Sequence, residues 1–263
     1  MAPKITVVTV CYNAENEIES TMRSTLEQDH IDLEYILIDG KSNDKTLEII
    51  NKVKNENHVR NIKVISEPDQ GIYDAMNKGI NLATGEFLVF MNAGDFFYDK
   101  TTLTKVIKYL KNNPSTDVLY GNCGYTTENT IQHPSPFWTR GKGYQGVGFC
   151  HQATYVRVSI LKKYPFNLKY TISADYNQMY QLYKSGCYFS YFNMPLCKFN
   201  LNGVSYSFKN RIELYVQNAE IAGEQNSLAY KLAILKLKLI RILPSGIQGK
   251  ILNKVSSKDR NRK

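Results

Sequence analysis

The sequence contains no uncharged apolar stretch of about 18 residues, the length that a membrane-spanning helix requires. Its first apolar run, residues 5–10, is too short for the core of a signal peptide, and no small-residue cleavage site follows it. Internal repeats and low-complexity segments are also absent. These absences favour a cytoplasmic protein without a membrane span, and the length of 263 residues favours one large domain with an appendage.

Cysteine is scarce, and its spacing shows no pairing pattern. The number of cysteines is odd, no Cys-x-x-Cys pair occurs, and no cysteines cluster with the four histidines in a zinc-like pattern. The sequence therefore predicts free, structural thiols in a reducing compartment. The five cysteines are Cys11, Cys123, Cys150, Cys187 and Cys197.

The body of the chain has no excess of either charge, although the whole sequence carries a net charge of +9. Residues 228–263 hold ten basic residues and one acid, Asp259, which accounts for the entire excess. Residues 1–227 hold 23 basic and 23 acidic residues. Because the positive charge is confined to a tail and no recognition motif accompanies it, a nucleic-acid-binding protein is not expected.

Alternating strand, polar loop and helix patterns occupy the first third of the chain. Four short β-branched or aromatic runs read as buried strands, and amphipathic segments follow the first three. This order predicts an α/β fold with a mostly parallel sheet flanked by helices. The predicted strands cover residues 5–10, 35–38, 62–66 and 87–91, and the helices cover residues 18–28, the segment through Leu47, Ile50 and Val53, and residues 69–83.

The remainder of the chain is less regular. Residues 114–150 are rich in Gly, Tyr, Thr and Pro, which predicts an irregular or short-stranded excursion rather than another α/β unit. Residues 173–185 and 208–226 have helical patterns, and residues 188–192 read as a strand between them. We therefore expect an α/β domain at residues 1–205 and a C-terminal helical extension at residues 206–263.

Three polar loops that carry acids follow predicted strands. They are residues 13–15, 39–44 and 92–95. Because ligands of open α/β sheets bind outside the carboxyl ends of the strands, these loops are expected to share one binding edge.

The C-terminal extension contains an amphipathic pattern. Apolar residues recur at alternating spacings of four and three, while Lys231, Lys238 and Arg241 lie off that stripe. Such a helix can lie on an anionic membrane, pack against the α/β domain or pair with a second copy in a homodimer. Residues 244–246 are expected to end it, and residues 256–263 to be disordered. The stripe consists of Leu228, Leu232, Leu235, Leu239 and Ile242.

Six motifs, taken in order over roughly residues 4–186, resemble the motif series of family 2 glycosyltransferases. Each motif alone is weak, but six in register are a strong signal. They are Thr9-Val-Cys-Tyr-Asn13, Ile38-Asp-Gly-Lys-Ser-Asn-Asp-Lys-Thr46, Glu67-Pro-Asp-Gln-Gly-Ile-Tyr-Asp-Ala-Met-Asn-Lys-Gly79, Ala83-Thr-Gly-Glu86, Asn92-Ala-Gly-Asp95 and Ala174-Asp175.

The resemblance implies a GT-A fold, with a Rossmann-like sheet, that transfers a sugar with inversion from a nucleotide-diphosphate sugar, most simply a UDP-sugar. The acceptor would be a glycan or lipid-linked sugar in cell-surface polysaccharide biosynthesis, and a divalent ion, Mn²⁺ or Mg²⁺, would assist. Carried over residue by residue, the resemblance assigns nucleoside binding to Thr9, Tyr12, Asn13, Glu15 and Asp39, further donor contacts to Asp69, Asn92, Ala93 and Gly94, metal binding to Asp95, the general base to Asp175, and acceptor or phosphate contact to His151 and Gln152.

Two motifs depart from the family pattern. Asn92 and Gly94 stand where acids are usual, so Asp95 alone remains of the acidic metal motif. Mg²⁺ commonly takes only one or two carboxylates together with phosphate oxygens and waters, so a single acid is compatible with metal binding. Ala174 likewise stands where a second acid is common beside Asp175.

Structural alternatives exist for several of these residues. Residues 39–44 also suit a turn and helix N-cap, and Asp175 also suits a first-turn acid that the helix dipole favours. His151 can equally be a structural histidine. A nucleotidyltransferase would carry a Gly-rich, Arg-bearing loop after the first strand, and residues 11–15 contain neither residue type. A non-catalytic module that binds a membrane or polyanion through the basic tail remains the alternative function.

Overall fold

The computed structural model describes residues 3–29, 32–57, 61–125, 130–136, 148–199 and 208–242. The strands are β1 Ile5–Cys11, β2 Leu33–Asp39, β3 Ile62–Ser66, β4 Phe87–Phe90, β5 Phe96–Phe97, β6 Val118–Tyr125, β7 Ile131–Gln132, β8 Thr154–Arg157 and β9 Phe189–Phe199. The helices are α1 Ile18–Leu26, α2 Thr46–Glu56, α3 Ile72–Leu82, α4 Thr102–Asn112, α5 Val158–Lys163, α6 Ala174–Lys184, α7 Phe208–Ala222 and α8 Leu228–Ile242, with a short 3-10 helix at His151–Ala153.

The strands form one sheet in the order β3-β2-β1-β4-β8-β6-β9-β5, and β7 pairs with β6. The first four strands are parallel, as predicted. Beyond them the sheet is mixed, because β8 runs antiparallel to β4 and β6 while β9 runs parallel to β6. Parallel neighbours need a crossover connection, usually a helix. The described residues between β6 and β8 contain no α-helix, only β7 and the 3-10 helix, which agrees with their antiparallel pairing. The α/β class is confirmed, and the predominance of parallel pairs holds only for the first half of the sheet.

Helices cover both faces of the sheet, as the sequence predicts. Alternate residues of β1 point to opposite faces, so Ile5 and Val7 join the apolar layer under α1, α2 and α4. Val8 and Val10 join the layer under α3, α5 and α6. Every residue of β1 and β2 is buried, which explains their continuous apolar runs.

Residues 118–125 correct one prediction, because they form the long interior strand β6 rather than an irregular excursion. The usual β-branched pattern is missing at Gly121, where the chain of β9 lies too close for a side chain. A Cβ atom at Gly121 would lie 2.5 Å from Cδ1 of Leu196 and 2.9 Å from the carbonyl oxygen of Met194. Strand β9 is also longer than the predicted residues 188–192, since it continues to Phe199.

Helix α8 presents its leucines to solvent. Leu228, Leu232, Leu235 and Leu239 are 55–72% exposed, so the stripe does not pack against the described part of the α/β domain. A different face of α8 meets the rest of the chain, because Tyr230 stacks on Tyr215 of α7 at 6.1 Å.

Among the described helices, none combines the length and apolar character needed to cross a bilayer. The predicted boundary between residues 205 and 206, the helix end at residues 244–246 and the basic segment 256–263 lie outside the described residues.

Substituting Gly121 by alanine is expected to lower the free energy of unfolding by about 1–3 kcal/mol, the usual cost of overpacking a core. The reason is that the new methyl group meets the backbone of β9. Urea denaturation measures the change. Gly124→Ala in the same strand is the matched control, since its nearest neighbour is a Tyr98 ring atom at 3.3 Å. Equal losses for both variants would contradict the close approach at Gly121.

Candidate active site

The ends of β1, β2 and β4 bring the three predicted loops to one edge of the sheet. Cys11 pairs in register with Asp39, the last residue of β2. The backbone of Met91 and Ala93 continues the β4 ladder, donating hydrogen bonds to the carbonyl oxygens of Val8 and Val10 at 2.9 and 3.3 Å. The loops after these strands therefore lie side by side, which confirms the predicted common edge.

Hydrogen bonds tie the loop after β1 to the loop after β2. The backbone N–H of Asn13 donates to Oγ of Ser42 at 2.9 Å, and Oδ1 of Asn13 accepts from the N–H of Asn43 at 2.9 Å. Oε2 of Glu15 accepts from the N–H of Lys45 at 3.1 Å. Asn13 adopts a left-handed φ of 48°, a conformation that asparagine tolerates better than most residues. Asn13 and Glu15 thus shape the edge of the site while remaining exposed.

Asp39 is fully buried at the centre of this edge. Its carboxylate accepts hydrogen bonds from Oγ of Ser66 at 2.6 Å, from the N–H of Ser42 at 3.2 Å, and from the hydroxyl of Ser42. These bonds show that Asp39 holds the turn at residues 39–44 in place, which is the structural alternative given in the sequence analysis. The Cys11 thiol also donates to Oδ1 at 3.9 Å, so four donors occupy the roughly four lone-pair sites of the carboxylate, and a ligand N–H that bonds Asp39 replaces one of them.

Thr9 lies inside the sheet rather than in the binding edge. It is fully buried, and its hydroxyl donates to the carbonyl oxygen of Met91 at 2.8 Å and contacts the Tyr35 hydroxyl at 3.0 Å. Thr9, which the sequence analysis placed among the donor-binding residues, therefore contributes to the packing of β1, β2 and β4. The reason is its position two residues before the end of β1.

Tyr12, Gly40 and Asp69 form an open surface beside Asp39. The Tyr12 side chain is 60% exposed. A Cβ atom at Gly40 would lie 2.5 Å from Oδ2 of Asp69 and 3.3 Å from Cδ2 of Tyr12, so the glycine permits both to approach the loop backbone. Oδ1 of Asp69 accepts from the N–H of Gly71 at 2.8 Å. An exposed aromatic ring next to a carboxylate is suited to stacking and hydrogen bonding with a ligand.

The turn after β4 holds the predicted metal acid in a buried position. Asp95 is 4% exposed, and its Oδ2 accepts a hydrogen bond from Nε2 of Gln152 at 2.8 Å. Its N–H donates to the carbonyl oxygen of Asn92 at 2.9 Å, and the left-handed φ of 93° at Gly94 allows the turn. The N–H of Gly94 donates to Oγ1 of Thr21 at 2.9 Å.

The amide oxygen of Asn92 suits a hard cation or a donor group of a ligand. Oδ1 of Asn92 is buried and accepts no hydrogen bond from the described residues. A buried oxygen without a donor is costly, so a ligand that satisfies it gains affinity. Mg²⁺ and Mn²⁺ prefer carboxylate and carbonyl oxygens, and Asp95 adds a carboxylate in the same turn. The residues present therefore fit a divalent ion, and the pattern of partly substituted acids does not exclude one.

His151 and Phe90 form part of an aromatic cluster beneath this turn. The His151 ring stacks on Phe90 at 5.1 Å and lies edge-on to Phe166 at 5.7 Å. Burial lowers the pKa of His151 to about 4, so its imidazole is neutral at pH 7. The ring therefore packs into this cluster, and a neutral imidazole keeps one donor and one acceptor nitrogen.

Asp175 lies in the first turn of α6, where the sequence predicted a base. Its Oδ1 accepts from the N–H of Tyr176 at 2.8 Å and lies 3.3 Å from the Tyr73 hydroxyl, which also donates to the carbonyl oxygen of Ile172 at 2.9 Å. Burial raises the pKa of Asp175 above the usual carboxyl range, and the bonds from Tyr176 and Tyr73 oppose that rise. A desolvated carboxylate with an elevated pKa has the properties of a general base.

Tyr73 and Phe166 connect the two acids, and sequence analysis gave neither residue a role. The Tyr73 ring contacts Phe166 at 5.2 Å, and Phe166 contacts both Phe90 and His151. Asp175 therefore rests on the same aromatic cluster as the His151-Gln152 pair that holds Asp95. The sequence signal that could have identified Tyr73 is its position inside one of the six motifs.

Three of the cysteines, which are widely separated in the sequence, meet in space. The Sγ atoms of Cys123, Cys150 and Cys197 all lie within 4.8 Å of one another. Sequence spacing missed this because Cys123 and Cys197 come from β6 and β9, which pair only in the folded sheet.

A family model described as glycosyl transferase family 2 matches residues 6–168 of the chain. The chain is 31% identical over 182 residues to the PGL/p-HBAD biosynthesis glycosyltransferase of Mycobacterium tuberculosis, covering 67% of this chain and 68% of that protein.

Two solved structures have a similar fold. Staphylococcus aureus TarS 1–349 in complex with UDP-GlcNAc has a TM-score of 0.67 at 19% identity, over 83% of this chain and 66% of that chain. The match to a longer TarS chain covers 44% of that longer chain. The mannosyltransferase PcManGT from Pyrobaculum calidifontis in complex with GDP-Man and Mn²⁺ has a TM-score of 0.68 at 16% identity, over 100% of this chain and 82% of that chain. With the family model covering more than half of the sequence, the chain belongs to glycosyl transferase family 2 and is a glycosyltransferase of the GT-A fold.

Proposed function

We propose that this glycosyltransferase moves a sugar from a UDP-sugar to a glycan or lipid-linked acceptor, with inversion at the transferred carbon. The observation that carries the proposal is the set of three aspartates in different environments. Asp39 and Asp95 lie at one edge of the sheet, and Asp175 contacts Tyr73, which packs on the same Phe166 ring as His151. Asp39 is buried among serine hydroxyls, Asp95 is beside an unsatisfied amide oxygen, and Asp175 is desolvated. These three environments suit three separate tasks, which are nucleoside binding, metal binding and proton abstraction.

The nucleoside is proposed to lie on the open surface of Tyr12, with Asp39 accepting a hydrogen bond from the base. Exposed aromatic rings stack on bases because every base has a π face. Asn13 and Glu15 border this surface, and Asp69 faces the sugar. The complex of TarS with UDP-GlcNAc supports uridine as the nucleoside.

Asp95 and Asn92 are proposed to hold Mn²⁺ or Mg²⁺ at the diphosphate, with Ala93 and Gly94 contributing backbone contacts to the donor. A bound divalent ion acts as a Lewis acid that stabilises negative charge on phosphoryl oxygens. The complex of PcManGT with GDP-Man and Mn²⁺ supports a metal in this fold. The chain itself positions Asp95 through the hydrogen bond from Gln152.

Asp175 is proposed to take the proton of the acceptor hydroxyl as that oxygen attacks the sugar. Attack from the side opposite the diphosphate gives inversion, so the base and the leaving group must lie on opposite sides of the sugar. Asp95 and Asp175 come from different elements, the turn after β4 and the start of α6, and the proposal places them on opposite sides of the sugar. Neutral His151 and its neighbour Gln152, which bonds Asp95, are proposed to contact the phosphate or the acceptor.

Helix α8 is proposed to bring the enzyme to a lipid-linked acceptor at the cytoplasmic face of a membrane. The exposed leucines form one stripe, and exposed Lys231 and Lys236 flank it on opposite sides at about 100° of rotation per residue. An apolar stripe between cationic side chains matches a helix that lies on an anionic lipid surface.

Calorimetric titration tests the donor site. The wild-type chain is expected to bind one nucleotide sugar from a panel of UDP-, GDP- and dTDP-sugars, with Mn²⁺ strengthening the affinity relative to EDTA. Asp95→Asn is expected to weaken metal-dependent binding by at least about tenfold, since even residues that only support a metal ligand contribute that much. Glu48→Gln, an exposed acid on α2, is the control. Absence of binding to every nucleotide would favour the non-catalytic alternative.

Turnover tests the base. Asp175→Asn is expected to lower kcat by at least about 100-fold, the scale of a lost general base, while donor affinity stays nearly unchanged. In the wild type, kcat is expected to fall as pH falls through the raised pKa of Asp175, because the protonated acid cannot accept a proton. Unchanged turnover in Asp175→Asn would remove this residue from the mechanism.

Tyr73→Phe provides a second readout of the same carboxylate. The Tyr73 hydroxyl bond works to lower the pKa of Asp175, so its removal is expected to move the acid limb of the kcat profile to higher pH. A profile that does not move would show that Tyr73 plays only a packing role.

Vesicle co-sedimentation tests the membrane contact. Leu232→Gln combined with Leu235→Gln is expected to lower binding to vesicles that contain anionic lipid by at least about tenfold, because each buried leucine contributes about 1.5 kcal/mol or more. High salt is expected to weaken binding as well. Leu168→Gln, an exposed leucine on the α/β domain, is the matched control. Unchanged vesicle binding, with a dimer that the double variant abolishes in light scattering, would favour pairing of two copies instead.

A further inference from the structure

Three thiols converge directly behind the proposed metal acid. Cys123 lies in β6, Cys197 lies opposite it in the parallel neighbour β9, and Cys150 immediately precedes the 3-10 helix that carries Gln152. Cys123 and Cys197 are buried, whereas Cys150 is partly exposed. The Sγ atom of Cys197 is 3.4 Å from that of Cys123 and 3.7 Å from that of Cys150.

These separations suit sulfur ligands of one ion. A Zn–S bond is about 2.3 Å, so two sulfurs bound tetrahedrally to zinc lie about 3.8 Å apart. The observed spacings differ from that value by a few tenths of an ångström, and all three sulfurs lie within 4.8 Å of one another. Side-chain adjustments therefore suffice for all three thiols to reach the same ion. Soft thiolate ligands select zinc and similar ions over Mg²⁺ and Mn²⁺.

A small pocket leads to the cluster from the surface. Cys123, Cys150, His133 and Gly148 line it, and its volume is close to that of one water molecule. A water in this pocket can complete a four-coordinate site, which otherwise has three protein ligands. The pocket also gives the ion a path to the thiols.

The cluster is linked to the proposed diphosphate site by a single side chain. The Cys150 thiol donates to Oε1 of Gln152 at 3.1 Å, while Nε2 of Gln152 donates to Oδ2 of Asp95 at 2.8 Å. Binding an ion would release the thiol proton of Cys150 to solvent and remove the donor from Oε1. The position of Gln152, and through it that of Asp95, would then respond to the ion.

We propose that Cys123, Cys150 and Cys197 form a site for one thiophilic ion of the Zn²⁺ class, which anchors residues 150–152 to β6 and β9. This site is separate from the Mn²⁺ or Mg²⁺ site at Asp95, and it does not depend on the proposed transferase mechanism. The ion cross-links three segments that are distant in sequence, and it thereby stabilises the part of the fold that presents Gln152 to Asp95.

Cobalt substitution tests the site in the full-length chain, reduced and freed of metal. The thiolate charge-transfer absorption and tetrahedral visible bands are expected to saturate at one equivalent of Co²⁺ per chain, and Zn²⁺ is expected to remove them by displacing Co²⁺. Zn²⁺ is also expected to raise the Tm. Cys150→Ser is expected to lower the intensity of the charge-transfer band by about a third or more, because one of three thiolate ligands is lost, and Cys187→Ser, a cysteine outside the cluster, is expected to retain the full band.

Three results would overturn the proposal. The first is an absence of thiolate charge transfer in the wild type, and the second is a band of unchanged intensity in Cys150→Ser. The third is a disulfide among the three cysteines, detected by thiol titration of the protein as purified without reductant. Circular dichroism of Cys150→Ser checks that this variant folds, and Cys197→Ser gives a second test of the ligand set. None of these measurements uses transferase activity, so loss of activity alone does not affect the proposal.

Discussion

Parallel pairing of β1 with β2 on one side and β4 on the other is the constraint on which the site depends. The hydrogen-bond ladders leave the ends of the three strands level, so the loops that follow them are adjacent. At the opposite ends of these strands, buried Glu34 accepts hydrogen bonds from the hydroxyls of Thr6 and Thr84 at 2.6 and 2.8 Å. Burial works to raise the pKa of Glu34, but these hydrogen bonds outweigh it and hold the pKa below its usual range. The motif at residues 83–86 therefore stabilises the strand register and lies away from the ligand edge.

The acids at the binding edge differ because the fold gives each a different set of partners. Asp39 is surrounded by hydroxyl and N–H donors. Asp175 accepts two hydrogen bonds that lower its pKa, and its burial raises the pKa by more. Asp95 accepts a hydrogen bond from the amide of Gln152, which also contacts the thiol of Cys150. Gln152 thus joins an oxygen-rich site to a sulfur cluster, because its amide nitrogen donates to Asp95 while its amide oxygen accepts from Cys150.

Much of the site could be predicted from sequence where its residues are close together in the chain. Tyr12, Asp39 and Asp95 each lie at the end of a strand with strong β-branched or aromatic character or within a few residues of it, so the local pattern located them. Thr9 was misplaced because its position within the strand, rather than its motif, decides whether its hydroxyl faces the ligand edge. Tyr73 acquired a role only through its contact with Asp175, which is 102 residues away in the chain.

The sequence by itself determined the α/β class, the first four strands, the helix of the tail and the family, because each rests on local periodicity or on motifs in fixed order. Only the tertiary structure decided that β6 is an interior strand, since Gly121 is required by the close approach of β9 and not by a local sequence pattern. It alone decided that the leucines of α8 face solvent. It also brought together three cysteines from segments up to 74 residues apart, because side-chain proximity between distant segments arises from strand pairing and leaves no periodic trace in the sequence.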